Sequence, residues 1–260
     1  MRIEILTTGS ELLLGTTANT HGAWFGQELF KLGLRSSRQV TVPDGPPVIK
    51  AMRAGLEEGD VLIVTGGLGP TSDDLTRESI AEVLGLDLIT DEAALRSLEA
   101  FFAERKLPMV EANKKQALVP VGGDVLPNPN GTAPGVYLSP RMSGKFRCAV
   151  FLLPGPPREL YPMFHNEVVP RIEALADMAA VPQMKTLRFV GVGESTMQDE
   201  IDEKLTSIEG LEVGYCARLG EVDLRLVGTP EVIAQGWEIA EGRYARELVS
   251  DDESSLEATV

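Results

Sequence analysis

Several residue classes are scarce in this chain of 260 residues, and each scarcity removes a kind of chemistry. Only Cys148 and Cys216 occur, far apart and without metal-ligand spacing, which excludes a disulfide framework and a cysteine zinc site and leaves open one bridge between them. Two such thiols fit a reducing compartment. His21 and His165, the only histidines, have no Cys, Ser or acid at motif spacing, so a histidine-based triad has no support. Aromatic residues make up 5% and form no basic-aromatic face of the kind that stacks bases. Lys and Arg number 24 against 39 Asp and Glu, a formal net charge of −15. A phosphate backbone is gripped by clustered cations, so nucleic-acid binding is not expected. No apolar run is long enough to span a bilayer, and residues 1–6 read as a charged strand rather than a signal peptide. The expected location is the cytoplasm.

What the chain has is glycine beside acid. In Thr65-Gly66-Gly67-Leu68-Gly69-Pro70-Thr71-Ser72-Asp73-Asp74-Leu75-Thr76-Arg77-Glu78 a glycine-rich turn runs into paired carboxylates at the start of a helix. The preceding Asp60-Val61-Leu62-Ile63-Val64 is an apolar, β-branched run without helical period, as expected of a buried parallel strand. Leu75, Ile80, Ala81, Val83 and Leu84 then share a helical face that Gly85 ends. Missing side chains let a ligand approach the backbone N–H groups, and a helix start favours anionic oxygen. One acid suffices as a cap; Asp73 and Asp74, with Glu78 one turn later, also suit a hard divalent cation. On this reading Gly67→Val should harm ligand binding more than stability.

Strand-like and helix-like segments alternate over the first two-thirds, the pattern of a sheet covered on both faces. Strands are expected at 2–8, 35–42, 60–65, 116–119, 134–138 and 147–153, and helices at 19–32, 46–57, 74–84, 91–105 and 156–175. The chain divides near 175–182. Beyond it, strand 185–190, helix 195–207, strands 211–217 and 221–228, and helix 230–246 form a small α+β module, with an acidic segment from 250 to 255.

Three further loops follow strands. Thr7-Thr8-Gly9-Ser10-Glu11 lies after the first, on the rim of a parallel sheet where ligands bind, and Glu11 could reach a metal or a hydroxyl, with Asn19 polar at the next helix start. Asn128-Pro129-Asn130-Gly131-Thr132-Ala133-Pro134-Gly135 is small and unobstructed, or simply a turn. Leu153-Pro154-Gly155-Pro156-Pro157-Arg158 opens a helix, with Gly155 leaving amides accessible and Arg158 a candidate for phosphate. Upstream of Asn128, Asn113-Lys114-Lys115-Gln116 offers Lys114 or Lys115 as a counter-charge.

As an ordered set these motifs resemble the amino-terminal part of the CinA (competence/damage-inducible) family, and Gly191-Val192-Gly193-Glu194-Ser195 with the following strand pair resembles its KH-like domain. The resemblance implies a three-layer MoaB/Mog-like α/β domain over 1–175 with a mostly parallel sheet, then a KH-like α+β domain over 182–250. No Gly-x-x-Gly clamp matches at 191–194, so RNA binding is not implied. The implied activity is metal-dependent hydrolysis of a nucleotide pyrophosphate, ADP-ribose above all. A divalent ion (Mg, Mn or Co) would sit on Asp74, Asp73 and Glu11, polarise the pyrophosphate and acidify a bound water. The implied ligand contacts are Thr8, Gly9, Ser10 and Asn19; Gly66, Gly67, Leu68, Gly69, Thr71, Thr76 and Glu78; Asn113 and Lys114; Asn128, Gly131, Thr132 and Ala133; and Pro154, Gly155, Pro156 and Arg158. A homo-oligomer is also implied, whereas the deamidase domain of longer relatives is not expected here. The same loops suit a pterin phosphate in molybdenum-cofactor synthesis, or a non-catalytic nucleotide-binding or assembly module.

Overall fold

The computed structural model describes residues 1–175 and 182–250. The chain forms two compact units, Met1–Asp177 and Met178–Val260. The expected boundary at 175–182 and the acidic segment after Ser250 lie largely outside the described residues.

The first unit contains β1 (Ile3–Thr8), β2 (Ser36–Val42), β3 (Val61–Thr65), β4 (Leu88–Thr90), β5 (Leu118–Pro120), β6 (Asp124–Leu126), β7 (Gly135–Leu138) and β8 (Ala149–Leu153). Six of them form one sheet in the order β2-β1-β3-β8-β7-β6. β2, β1, β3 and β8 are parallel, β7 runs antiparallel to β8, and β6 runs antiparallel to β7. Strand order reverses at β1, which has β2 on one side and β3 on the other. In open α/β sheets such a switch point opens a crevice beyond the carboxyl ends of the strands.

Alternation along the central strands fills two cores. Leu62, Val64, Val150 and Leu152 pack to one side with Met52, Leu56, Ile80 and Val83. Val61, Ile63, Phe151 and Leu153 pack to the other with Phe25, Leu29, Leu160 and Phe164. Burial of each such side chain contributes roughly 1.5–3 kcal/mol, enough to hold the strand ends and their loops in register.

The helices are α1 (Ser10–Leu13), α2 (His21–Lys31), α3 (Pro47–Glu58), α4 (Thr76–Leu84), α5 (Glu92–Glu104), α6 (Pro157–Met163) and α7 (Val169–Leu175). A π-helical turn, Phe164–Val168, joins the last two. Pro162 and Pro170, which donate no N–H, flank that turn, and residues 157–175 form one continuous helical run close to the expected 156–175. α2 starts later than the expected 19–32 because the Asn19 side chain accepts the His21 N–H at 3.1 Å. Of the strand expected at 116–119, residues 116 and 117 end a 3₁₀ turn, Glu111–Ala117, and 118 and 119 belong to β5. β5 pairs with β4 in a ribbon of its own.

The second unit runs β9 (Gln183–Val190), α8 (Glu194–Thr206), β10 (Glu212–Arg218), β11 (Glu221–Gly228), α9 (Pro230–Tyr244) and β12 (Leu248–Ser250). Its antiparallel sheet, in the order β10-β11-β9-β12, shares a core with Met197, Ile201, Leu205, Ile233 and Ala240 of the two helices. α9 ends two residues short of the expected 230–246, and β12, not expected from the sequence, follows it. Neither cysteine is in a disulfide; Cys148 lies in the first core, where burial pushes its thiol up to about 12, and Cys216 is exposed.

Candidate ligand-binding site

The carboxyl ends of β1, β3 and β8 and the loop before β7 surround a cavity of about 410 Å³. Its walls are Thr8, Gly9, Glu11 and Asp44; Gly66 to Thr71 with Asp73 and Asp74; Gln116; Thr132 and Ala133; and Pro154 to Pro156 with Glu159.

The glycine loop is shaped by the first turn of α4. The Thr76 hydroxyl donates to the Gly66 carbonyl at 2.8 Å, and the Thr76 N–H to the Gly67 carbonyl at 3.1 Å. In a planar trans peptide the N–H points opposite its carbonyl, so the Gly67 and Leu68 N–H groups point away from Thr76. Among the described residues the N–H groups of Gly67, Leu68, Gly69 and Gly155 have no hydrogen-bond acceptor. Such successive free amides make an anion cradle. Gly66 (φ 101°) and Gly67 (φ 64°) hold left-handed backbone, and a Cβ on Gly67 would run into the Thr76 hydroxyl.

The loop after β1 is already engaged. The Gly9 N–H donates to the Val42 carbonyl at 3.2 Å, while Asp44 accepts the Thr8 hydroxyl at 2.8 Å and the Ser10 N–H at 2.8 Å. Thr8 and Gly9 therefore line the cavity with their polar groups occupied, and Ser10 sits behind it. Asp44 is their clamp. It follows β2, which pairs with β1 and so ends on the same rim.

Five carboxylates, Glu11, Asp44, Asp73, Asp74 and Glu159, line the cavity, and its lining contains no Lys or Arg. Asp74 latches the loop by accepting the Thr71 N–H at 3.0 Å and the Thr71 hydroxyl. The exposed Asp73 carboxyl is held below the usual range by the Thr71 side chain, for whose single hydroxyl proton it competes with Asp74, then by its own backbone and by Lys115. Asp73, Asp74 and Glu11 face one space without closing into a cage. Among the described residues no group of three or more His, Cys, Asp or Glu side chains is placed to hold a metal ion. The donor set nevertheless fits a hard cation of the magnesium type, which commonly takes one or two carboxylates and completes its shell with water and substrate phosphate.

Other expected contacts lie outside the lining, for visible reasons. Thr76 is buried beneath the loop it braces. Glu78 pairs with Lys115 at 3.3 Å, and neither is in the lining. Asn128 is buried, donating to Glu159 at 2.8 Å and to the Ala133 carbonyl at 2.8 Å, so it orients Glu159. Gly131 passes against Glu159, where a Cβ would collide with the carboxylate. Asn113 accepts the Val110 N–H at 3.1 Å and faces Gln116, whose amide reaches Thr132 at 2.9 Å. Asn19 donates to Thr41 and lines an adjoining cavity of about 320 Å³ that shares Thr8, Glu11, Gly155 and Pro156. Arg158, outside the lining and with a side chain 78% exposed, pairs with Glu159 at 3.7 Å.

Between the two neighbouring lysines, the geometry selects Lys115. Its ammonium donates to the carbonyls of Thr71 at 3.1 Å and Asp74 at 2.5 Å, stapling the loop to the 3₁₀ turn. Lys114, one residue along, pairs with Glu111 at 2.8 Å instead. Lys115→Ala is therefore expected to weaken ligand binding by about tenfold, and Lys114→Ala by less than about twofold, when compared by calorimetric titration.

Residues 4–174 match the family described as "Probable molybdopterin binding domain", and residues 184–242 match "Damage-inducible protein CinA KH domain". Fold and site thus define an α/β protein of the molybdopterin-binding-domain class with a KH-like unit appended. The chain is 48% identical over 236 residues to a "CinA-like protein" of Akkermansia muciniphila, covering 91% of this chain and 56% of that relative. It is 31% identical to the crystallised CinA of Thermoplasma acidophilum, titled as of unknown function, with a TM-score of 0.58 over 65% of this chain and 98% of that one. The chain belongs to the CinA family. It spans a little over half the length of the curated relative from Akkermansia. No helix among the described residues is long and apolar enough to cross a membrane.

Proposed function

We propose that the first unit binds a phosphorylated nucleotide together with a divalent cation and hydrolyses its pyrophosphate, with ADP-ribose the leading substrate. The observation that carries this reading is the pairing of unoccupied loop amides with a lining of five carboxylates and no Lys or Arg. Backbone amides attract phosphate, but those carboxylates repel a bare polyanion. A phosphate neutralised by a divalent ion resolves the conflict.

The ion, when bound, would supply charge neutralisation and an acidified water. Asp73 and Glu11 are the exposed carboxylates nearest to hand for it, with Asp74 beside them once Thr71 is displaced. The remaining chemistry belongs to the chain. The N–H groups of Gly67, Leu68 and Gly69 take up charge that grows on the phosphate oxygens in the transition state, and they cost no reorganisation because α4 already holds them. Glu159, buried and oriented by Asn128, is placed to accept a proton from an attacking water or to bond a sugar hydroxyl.

A pterin phosphate is the second reading, favoured by the family match of this unit. Incubation of the purified chain with ADP-ribose, nucleoside diphosphate sugars and a pterin phosphate, each with Mg²⁺ or Mn²⁺, followed by chromatography of the products, separates the two. AMP and ribose 5-phosphate from ADP-ribose are the expected products. Binding of the pterin alone, with every pyrophosphate left intact, would replace this reading by the second.

A further inference from the structure

Behind the glycine loop lies a charge that the site described above does not use. Arg77, the second residue of α4, is the largest fully buried side chain among the described residues, with 0% exposure. Its Nη2 donates to the Leu68 carbonyl at 2.5 Å, whereas Nε and Nη1 are buried without a hydrogen-bond partner. Burial lowers its pKa to about 10, against the opposing pull of Glu78 and Asp74, and leaves it protonated at neutral pH. A helix packed for stability alone would place an apolar side chain here, because an unpaired buried guanidinium is costly.

The Leu68 carbonyl explains the placement. With Thr76 holding the carbonyls of Gly66 and Gly67, Arg77 holds the third in succession, and the planar peptide then turns the Gly69 N–H away from Arg77. Gly69 lines the cavity. The guanidinium also sets a positive potential behind a cavity whose lining has no cation. We infer that Arg77 is a positioning residue for anion binding, retained at a cost in stability because it fixes the third amide of the cradle and supplies its cationic backing. This rests on the reading of the loop as a phosphate site. A buried polar group left unsatisfied calls for an explanation, and a role at the adjoining site supplies one.

The test compares the full chain with Arg77→Met and Arg77→Lys, measuring the melting temperature of each and its affinity for inorganic pyrophosphate in the presence of Mg²⁺. Arg77→Met is expected to melt at the same or a higher temperature while binding at least about tenfold more weakly, and Arg77→Lys to restore most of the affinity. A lowered melting temperature or failure to fold in Arg77→Met would make Arg77 a structural residue and overturn the inference. Unchanged affinity in Arg77→Met, or a Lys variant as weak as the Met variant, would overturn it too. If the unmutated chain does not bind Mg-pyrophosphate, the functional reading itself fails and takes the inference with it; if it binds and only the Arg77 comparison fails, the reading survives alone.

Discussion

Gly155→Val is expected to weaken ligand binding by about 10–100-fold at nearly unchanged stability, whereas Gly67→Val is expected to destabilise the first unit by about 2–6 kcal/mol. A Cβ at Gly155 meets only the Gly66 Cα, at 3.7 Å, and the backbone there is not left-handed. A valine at 155 therefore fits the fold and projects into the cavity. An affinity loss of about 10–100-fold corresponds to the usual cost of overfilling a packed space. At Gly67 the φ of 64° and the collision with Thr76 act together. Left-handed strain and overpacking sum to about 2–6 kcal/mol against a total stability of about 5–15 kcal/mol. This reverses the expectation from sequence, where Gly67 looked like the residue whose side chain a phosphate would meet. Melting temperature and calorimetric titration of both variants decide the matter, and a folded Gly155→Val protein with full affinity would place the ligand elsewhere.

Asp74→Asn is expected to lower turnover of ADP-ribose by about 10–100-fold while the protein stays folded. The amide oxygen of Asn keeps an acceptor for the Thr71 N–H, so the latch survives, but the charge offered to a cation is lost. The measurement is kcat/KM at saturating Mg²⁺ beside a melting curve. Unchanged kcat/KM would reduce Asp74 to a loop brace.

The glycine loop was legible because its signals are local. Apolar alternation marks β3, Gly66 to Gly69 mark the turn, and the period of Ile80, Val83 and Leu84 marks α4, all within one stretch of chain. Thr71, Asp73 and Asp74 came with it. The parts that were not legible depend on pairing between distant segments. Asp44 reads as an ordinary turn residue between Pro43 and Gly45, and it becomes the clamp of Thr8 and Ser10 only because β2 lies beside β1. Knowing that parallel strands end on one rim supplies the missing signal. Lys114 and Lys115 are equivalent by composition, and the 3₁₀ turn separates them. Asn128 reads from the sequence as a ligand contact or a turn residue, yet it is buried against Glu159, and only Glu159 faces the cavity. The strand order was also beyond the sequence, since the reversed β7 carries an apolar run like those of its parallel neighbours.

The central claim is that this acidic cavity admits phosphate only as a complex with a divalent cation. Calorimetric titration of the chain with ADP-ribose, once in millimolar Mg²⁺ and once in excess chelator, tests it most directly. Binding to one site per chain with Mg²⁺, weakened by at least about 100-fold in chelator, is the predicted result, in keeping with several kcal/mol of repulsion from close carboxylates. Equal affinity in the two conditions, or full turnover in chelator, would contradict it.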